Sequence, residues 1–290
     1  MEHASVFAEA VDRLRRERPH VRAFVDPFLG LLLAREPLVA VLRGADAARP
    51  APRPDSVRLA QGACLEARDE FPLHGCDLER AFEVLQPALT AGFRDVRGDL
   101  AVIARTAQVR QGFVEQAARD CLCDRNQSLA RAANGIGVDA RVLAFWITEL
   151  LAPLAMARGR RLSGAVAEMP WNRGYCPVCG SWPGFVRREA SGGGVMACSF
   201  CAATWRFSRR ECPFCEAPGP SAQVYAVPGF DSERVVVCRR CNHYLAELAD
   251  DALAGYPPEA AGLALAPLEL LARQHGHRPA VMDWRQMPWA

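Results

Sequence analysis

The chain of 290 residues contains no lysine: all 35 of its basic Lys/Arg positions are arginine. Schiff-base catalysis and a phosphate loop built on lysine are therefore excluded. Net charge is almost missing too, since 35 cations face 33 acids for a formal +2, and no global field draws the chain to nucleic acid or an anionic membrane. Long hydrophobic runs are scarce. The longest near the N-terminus, residues 28–34 (FLGLLLA), is closed by Arg35, Glu36 and Pro37, short of the ~20 residues needed to span a bilayer; no transmembrane helix is expected. The opening MEHASVFAEAVD carries acids and lacks the basic-then-apolar order of a secretory signal, so a cytoplasmic location is expected. No G-x-S-x-G elbow, glycine-rich phosphate loop before a helix or H-E-x-x-H occurs, and the chain is not expected to be an enzyme.

What the chain holds in excess is cysteine, with 12 residues. In a reducing compartment metal ligation is the usual reason for so many. Cys64, Cys76, Cys121 and Cys123 are scattered over the first part, whereas the other eight fall between Cys176 and Cys241 as four pairs. That asymmetry marks a boundary near Pro170. At ~100 to 200 residues per domain the length allows two or three domains.

The first part, 1–170, reads as a bundle of roughly six helices. Val6, Phe7, Ala10, Val11 and Leu14 recur at helical spacing after a cap at Ser5, and Asp26-Pro27 reads as a cap followed by proline at the first helical position. Residues 78–89, 100–121 and 142–157 continue the pattern, the last opened by Asp139. From Trp171 the period changes to short β-branched and aromatic runs at 184–188, 204–208, 223–227 and 234–237, with a Ser-Gly-Gly-Gly turn at 191–194. These strands are too short to bury a substantial core, so something else must hold them. Residues 245–252 and 260–274 read as helical again, followed by a polar, aromatic tail. The fold class is therefore α+β: helical domain 1–170, ribbons 171–209 and 210–250, and a C-terminal helical tail 251–290.

The four pairs are Cys176-Pro-Val-Cys179-Gly180, Cys198-Ser-Phe-Cys201, Cys212-Pro-Phe-Cys215 and Cys238-Arg-Arg-Cys241. Two intervening residues make a tight knuckle in which both sulfurs face one point. Gly180 suits the positive φ that such a turn asks for. Eighteen residues separate the first pair from the second and 22 the third from the fourth, each gap fitting one hairpin. The first two pairs then close one four-thiolate site and the last two another; the alternative is a cross-braced pairing of first with third and second with fourth. Iron and zinc both suit four thiolates. Four protein ligands complete a tetrahedron, which argues against hydrolytic metal catalysis. Thioredoxin-like redox chemistry fits poorly, because that motif stands once, at a strand-to-helix junction.

Between Trp171 and Leu245 nine arginines face five acids, a surplus of four that two dianionic four-thiolate centres would cancel. Arg173, Arg209, Arg210, Arg239 and Arg240 near the knuckles are expected either to balance thiolates or to make ordinary surface contacts, and no nucleic-acid partner is expected. Other features read as structural. Cys121 and Cys123 fall on different faces of a helix, His74 and Cys76 with Cys64 form at most a partial ligand set, His243 hydrogen-bonds or is exposed, and His275 and His277 are solvated.

The order of parts, a helical half with LAFWITELLAPL at 143–154, then CPVCGSWP, CSFC with TWRF, CPFC and CRRCNHYL, resembles the FdhE family of formate dehydrogenase accessory proteins. The likeness extends to LELLARQHGHRP at 268–279. It implies a cytoplasmic maturation factor with two rubredoxin-like metal folds that binds the catalytic subunit of formate dehydrogenase before export. All eight family cysteines have counterparts here. The family's lysine after the last knuckle's Tyr-Leu is replaced by Ala246, and its acidic pair before the final helix by Ala261-Gly262. From other classes, the alternatives are a rubredoxin-like electron carrier or reductase, and a zinc-ribbon nucleic-acid binder.

Overall fold

The computed structural model describes residues 2–281 except 190–192, 209, 219–221, 227–228, 230–231, 250–255 and 257. The Arg209 position, the first half of the 191–194 turn and the tail beyond 281 lie outside the described residues. Nine α-helices occupy the first part: α1 Glu2–Glu17, α2 Arg22–Val25, α3 Leu29–Ala47, α4 Ser56–Ala60, α5 Gly75–Gly92, α6 Arg97–Val109, α7 Phe113–Leu122, α8 Asn126–Ile136 and α9 Ala140–Val166. α9 is the axis of the bundle, packed by α3, α5, α7 and α8. It carries apolar side chains all round, as a helix enclosed by others must. By length and hydropathy α9 can also cross a membrane, yet 78% of its most apolar window is buried inside this protein. Its start follows the sequence expectation, with the Asp139 side chain accepting from the Arg141 N–H at 2.8 Å.

Aromatic and ionic contacts lock the bundle. The Phe93 ring meets Phe28 and Phe145 edge-on at centroid distances of 4.8 and 4.7 Å. Trp146 Nε1 donates to Gln86 Oε1 at 2.8 Å, so its one polar atom is satisfied. Glu149, 2% exposed on α9, pairs with buried Arg35 on α3. Arg158, also buried, donates to Asp46 at 3.1 Å and to Glu66 at 2.5 Å. Charges so enclosed are tolerable only because each is paired.

Several local expectations are corrected. Ser5 lies inside α1 rather than capping it. Asp26 accepts from Arg15 Nε at 2.7 Å and opens a 3-10 turn that runs on into α3. The stretch 100–121 is two helices, broken where Gly112 adopts φ 76°.

The second part contains β1 Pro183–Arg188, β2 Gly194–Cys198, β3 Thr204–Phe207, β4 Ala222–Ala226, β5 Glu233–Cys238 and β6 His243–Ala249. After these come α10 Pro258–Ala264, α11 Ala266–Gln274 and β7 Arg278–Pro279. The ribbons are not separate sheets. They share one, in the order β3-β2-β1-β6-β5-β4 with β7 beside β6, joined by a parallel ladder from Phe185↔Ala246 to Arg188↔Ala249. Ala246, where the family carries lysine, is 1% exposed at this junction, a place that suits a small apolar residue. The expected helix over 245–252 is therefore a strand as far as Ala249, its last three residues lying outside the described ones. Helical spacing in LAELA yields to hydrogen bonding from β1 on one side and β5 on the other, a tertiary override of local propensity. α11 covers β4, β5 and β6, so the short strands bury an apolar layer of their own that includes Val235, Val237, Ala246 and Leu248.

Candidate metal centres

The eight paired cysteines converge into two clusters, Cys176/Cys179/Cys198/Cys201 and Cys212/Cys215/Cys238/Cys241, each with its sulfurs within 4.8 Å of one another. The structure brings together sequential pairs, not cross-braced ones. In the first cluster Cys176 Sγ lies 3.7 Å from Cys201 Sγ, and Cys179 Sγ lies 3.5 Å from Cys198 Sγ. In the second the corresponding separations, Cys212–Cys241 and Cys215–Cys238, are both 3.8 Å. Four sulfurs at ~2.3 Å around one ion stand about 3.8 Å apart along each tetrahedral edge. Both clusters fit a four-thiolate ion.

Each knuckle is built the same way. The residue just after its second cysteine folds back in the left-handed region: Gly180 at φ 74°, Ala202 at 57°, Glu216 at 55° and Asn242 at 60°. That turn carries N–H groups back to the preceding cysteine's carbonyl, Gly180 N to Cys176 O at 2.9 Å and Asn242 N to Cys238 O at 2.8 Å. Phe200 N and Cys201 N both point at Cys198 Sγ, each at 3.4 Å. Gly180 and Asn242 are residue types that enter this conformation; Ala202 and Glu216 hold a backbone that disfavours them. Replacing Ala202 with glycine is expected to stabilise the metal-loaded protein by about 1 kcal/mol, read from the chemical denaturation midpoint. Gly180→Ala is expected to lower that midpoint, because its Cβ would also stand 3.1 Å from Cys64 Sγ.

The sulfurs of a cluster share protons unequally. Hydrogen bonds from Cys176, Cys198 and Cys201 hold the Cys179 thiol well below the ordinary range against its burial. Burial pushes Cys176 well up, and bonding to Cys176 and Cys179 does the same to Cys201. In the second cluster burial pushes Cys238 up, but the N–H groups of Cys241 and Arg240 outweigh it and bring the thiol to about 7. Burial raises Cys212 and Cys241. A metal takes cysteines as thiolates, so its binding is coupled to loss of their protons.

The clusters differ in their surroundings. All four cysteines of the first are buried and all four of the second half-buried. The helical half clamps the first: Leu65 N and Glu66 N donate to Pro177 O and Val178 O at 2.9 and 2.8 Å. α9 passes so close that a Cβ on Gly159 would lie 2.2 Å from Cys201 O. The second cluster is braced by Asn242, whose Oδ1 meets His277 Nδ1 at 2.7 Å, while His277 Nε2 meets the Tyr225 hydroxyl at 2.8 Å. His275 lies against the Tyr225 ring at 5.2 Å. Of the two histidines read as solvated, His277 is thus built into the contact between ribbon and tail, whereas His275 stays exposed. His243 packs on Phe214 at 5.5 Å.

Of the remaining candidates, Cys64 touches the first knuckle, whereas exposed Cys76 stands beside Asp77. Among the described residues neither joins a cluster able to hold an ion. Arg173 pairs with Glu216 at 3.5 Å, linking the two ribbons, and Arg210, Arg239 and Arg240 are exposed.

The fold and these distances define a class: a helical domain joined to one sheet that carries two four-cysteine clusters shaped for metal ions. Two known proteins are similar to the chain, one in sequence and one in fold. One, from Aquifex aeolicus (strain VF5) and named Protein FdhE homolog, is 28% identical over 150 residues, covering 49% of this chain and 51% of that protein. The chain thus spans about half the length of the curated relative it matches. The crystal structure of the FdhE protein from Pseudomonas aeruginosa shares the fold with a TM-score of 0.60 and 21% identity, over 98% of this chain and 97% of that one. No protein-family model matches the chain. The resemblance to FdhE proteins read from the knuckles is borne out by sequence and by fold.

Proposed function

We propose that the protein is an accessory factor for formate dehydrogenase, which binds the catalytic subunit in the cytoplasm and acts on it stoichiometrically rather than as an enzyme. The observation that carries this reading is the pair of four-cysteine clusters set in a single sheet on a helical domain, the arrangement whose relatives bear the FdhE name. Cys176, Cys179, Cys198 and Cys201 would hold one ion, iron or zinc, and Cys212, Cys215, Cys238 and Cys241 the other. Bound there, a metal supplies cross-links that fix the knuckles. Four thiolates leave no coordination position for substrate water, in keeping with a binding role.

The test is affinity purification of the tagged chain under reducing, anaerobic conditions from cells making formate dehydrogenase, with metal analysis, beside a deletion strain. The expected result is recovery of the catalytic subunit with the chain and, in the deletion strain, enzyme polypeptide without formate oxidation. Normal formate oxidation in that strain, or full rescue by a variant lacking both ribbons, would overturn the proposal. The half-buried second cluster also favours a second reading, a rubredoxin-like electron carrier, since a redox centre needs access. Redox-reversible absorption of iron-loaded protein, together with normal formate oxidation in the deletion strain, would select it.

A further inference from the structure

A cleft of about 750 Å³ opens where the helical half meets the first ribbon, within the usual range for sites that enclose a small molecule and at the kind of junction where such sites occur. One wall is helical and apolar, with Leu129, Ala130, Ala140, Ala144 and Leu151; the small side chains keep the space open. Facing it are two aromatic side chains of the ribbon, Trp182 and Phe200. The slot between suits a flat, apolar body.

The polar end is organised around Arg68. Its guanidinium lies over the Phe200 ring at 5.2 Å, donates from Nη2 to Cys121 O at 2.7 Å and stands 3.4 Å from Asp124. The side chain is 27% exposed, while its Nε is closed to water and, among the described residues, without a hydrogen-bond partner. Asp124 is 76% exposed on its side chain, so water screens the one carboxylate that faces Arg68. Thr148 and Cys121 line the same end, the hydroxyl 3.7 Å from the sulfur. The other cation of the cleft, Arg141, is already held by Asp139 at 2.6 Å. The exposed part of the Arg68 guanidinium, whose ion-pair partner is screened, can donate a charge-assisted hydrogen bond to an anion in the cleft. Cys179, at the ribbon wall, belongs to a cluster that carries negative charge when metal-loaded, so the ligand's anion belongs at the Arg68 end.

We propose that this cleft binds a small molecule with a flat apolar body and one anionic group, carboxylate or phosphate, the anion taken by Arg68 and the body held between the Ala130–Ala144 wall and Trp182/Phe200. The assignment is independent of which polypeptide the protein serves. It is tested on the metal-loaded full chain with anilinonaphthalene sulfonate, a flat apolar anion whose fluorescence rises on burial. Saturable binding of one probe per chain is expected. Arg68→Met should weaken it about tenfold, the loss of one charge-assisted hydrogen bond, and Ala130→Phe, on the less buried part of the wall, should abolish it by filling the slot. Both variants should keep metal content and thermal midpoint, which separates loss of the site from loss of the fold; Ala144→Phe serves if Ala130→Phe does not fold. Bound probe should also slow alkylation of Cys121 by iodoacetamide. Benzoate and inorganic phosphate then compete with the probe: displacement by benzoate alone assigns a carboxylate ligand, and displacement by phosphate assigns a phosphate. Probe binding that does not saturate, or that survives both Arg68→Met and the cavity-filling variant, would overturn the proposal.

Discussion

Stripping metal from both clusters with a strong chelator is expected to unfold the sheet while the helical bundle stays folded. Each four-thiolate ion contributes on the order of 10 kcal/mol to the folding of a small metal module, comparable with the whole stability of an ordinary domain at ~5–15 kcal/mol. The apolar layer beneath α11 offsets part of that loss, but it depends on strands whose ends are the knuckles: β2 and β5 terminate at Cys198 and Cys238 themselves. The bundle draws on its own core around α9, with Phe145, Trp146 and Ile147 fully buried. Hydrogen exchange read by mass spectrometry separates the parts. Amides of 183–188, 194–198 and 233–249 should lose protection in chelated protein, and those of 140–166 should keep it. Retained sheet protection without metal would show that packing alone holds the ribbons.

The two clusters are expected to release metal at very different rates, the second first. The first is enclosed by α9 and by the 65–66 segment, with Cys176 and Cys201 at 0% and 2% exposure; a chelator reaches these two sulfurs only after the helical half moves away, and the cleft offers it no more of the cluster than Cys179. The second is open to attack without any such movement. Supporting groups around a metal site typically change its affinity by roughly 10–100-fold, and enclosure adds a kinetic barrier to that difference. Under limiting chelator, metal release should be biphasic. Alkylation mapped by mass spectrometry should label Cys212, Cys215, Cys238 and Cys241 in the fast phase, and the first cluster only in the slow one. A single phase, or earlier labelling of Cys176 to Cys201, would contradict this ordering.

The knuckles were legible because a C-x-x-C pair closes locally: two residues of spacing set both sulfurs on one point whatever the rest of the chain does. The Asp139 cap and the long apolar helix behind it were legible for the same reason, as their hydrogen bonds and periodicity lie within one segment. Two of the four left-handed turns have no mark in the sequence, since Ala202 and Glu216 carry no sign of the conformation that the knuckle imposes on them. His277 departs from the solvated reading because polar neighbours in sequence are silent about the Tyr225 and Asn242 side chains that meet it in space, whereas His275 stays exposed.

By itself the sequence determined the change from helical to β-rich pattern, the eight paired cysteines and the absence of chemistry that needs lysine. Only the tertiary structure decided the rest. It turned 245–249 from an apparent helix into the strand that fuses both ribbons, because hydrogen bonds from β1 and β5 outweigh a local preference of a few tenths of a kcal/mol per residue. It chose sequential over cross-braced clusters, because each hairpin returns its second pair beside its first. It also made the clusters unequal, since whether a sulfur is enclosed or meets solvent depends on contacts between segments far apart in the chain, such as the hydrogen bond from Leu65 N to Pro177 O that ties the helical half to the first knuckle.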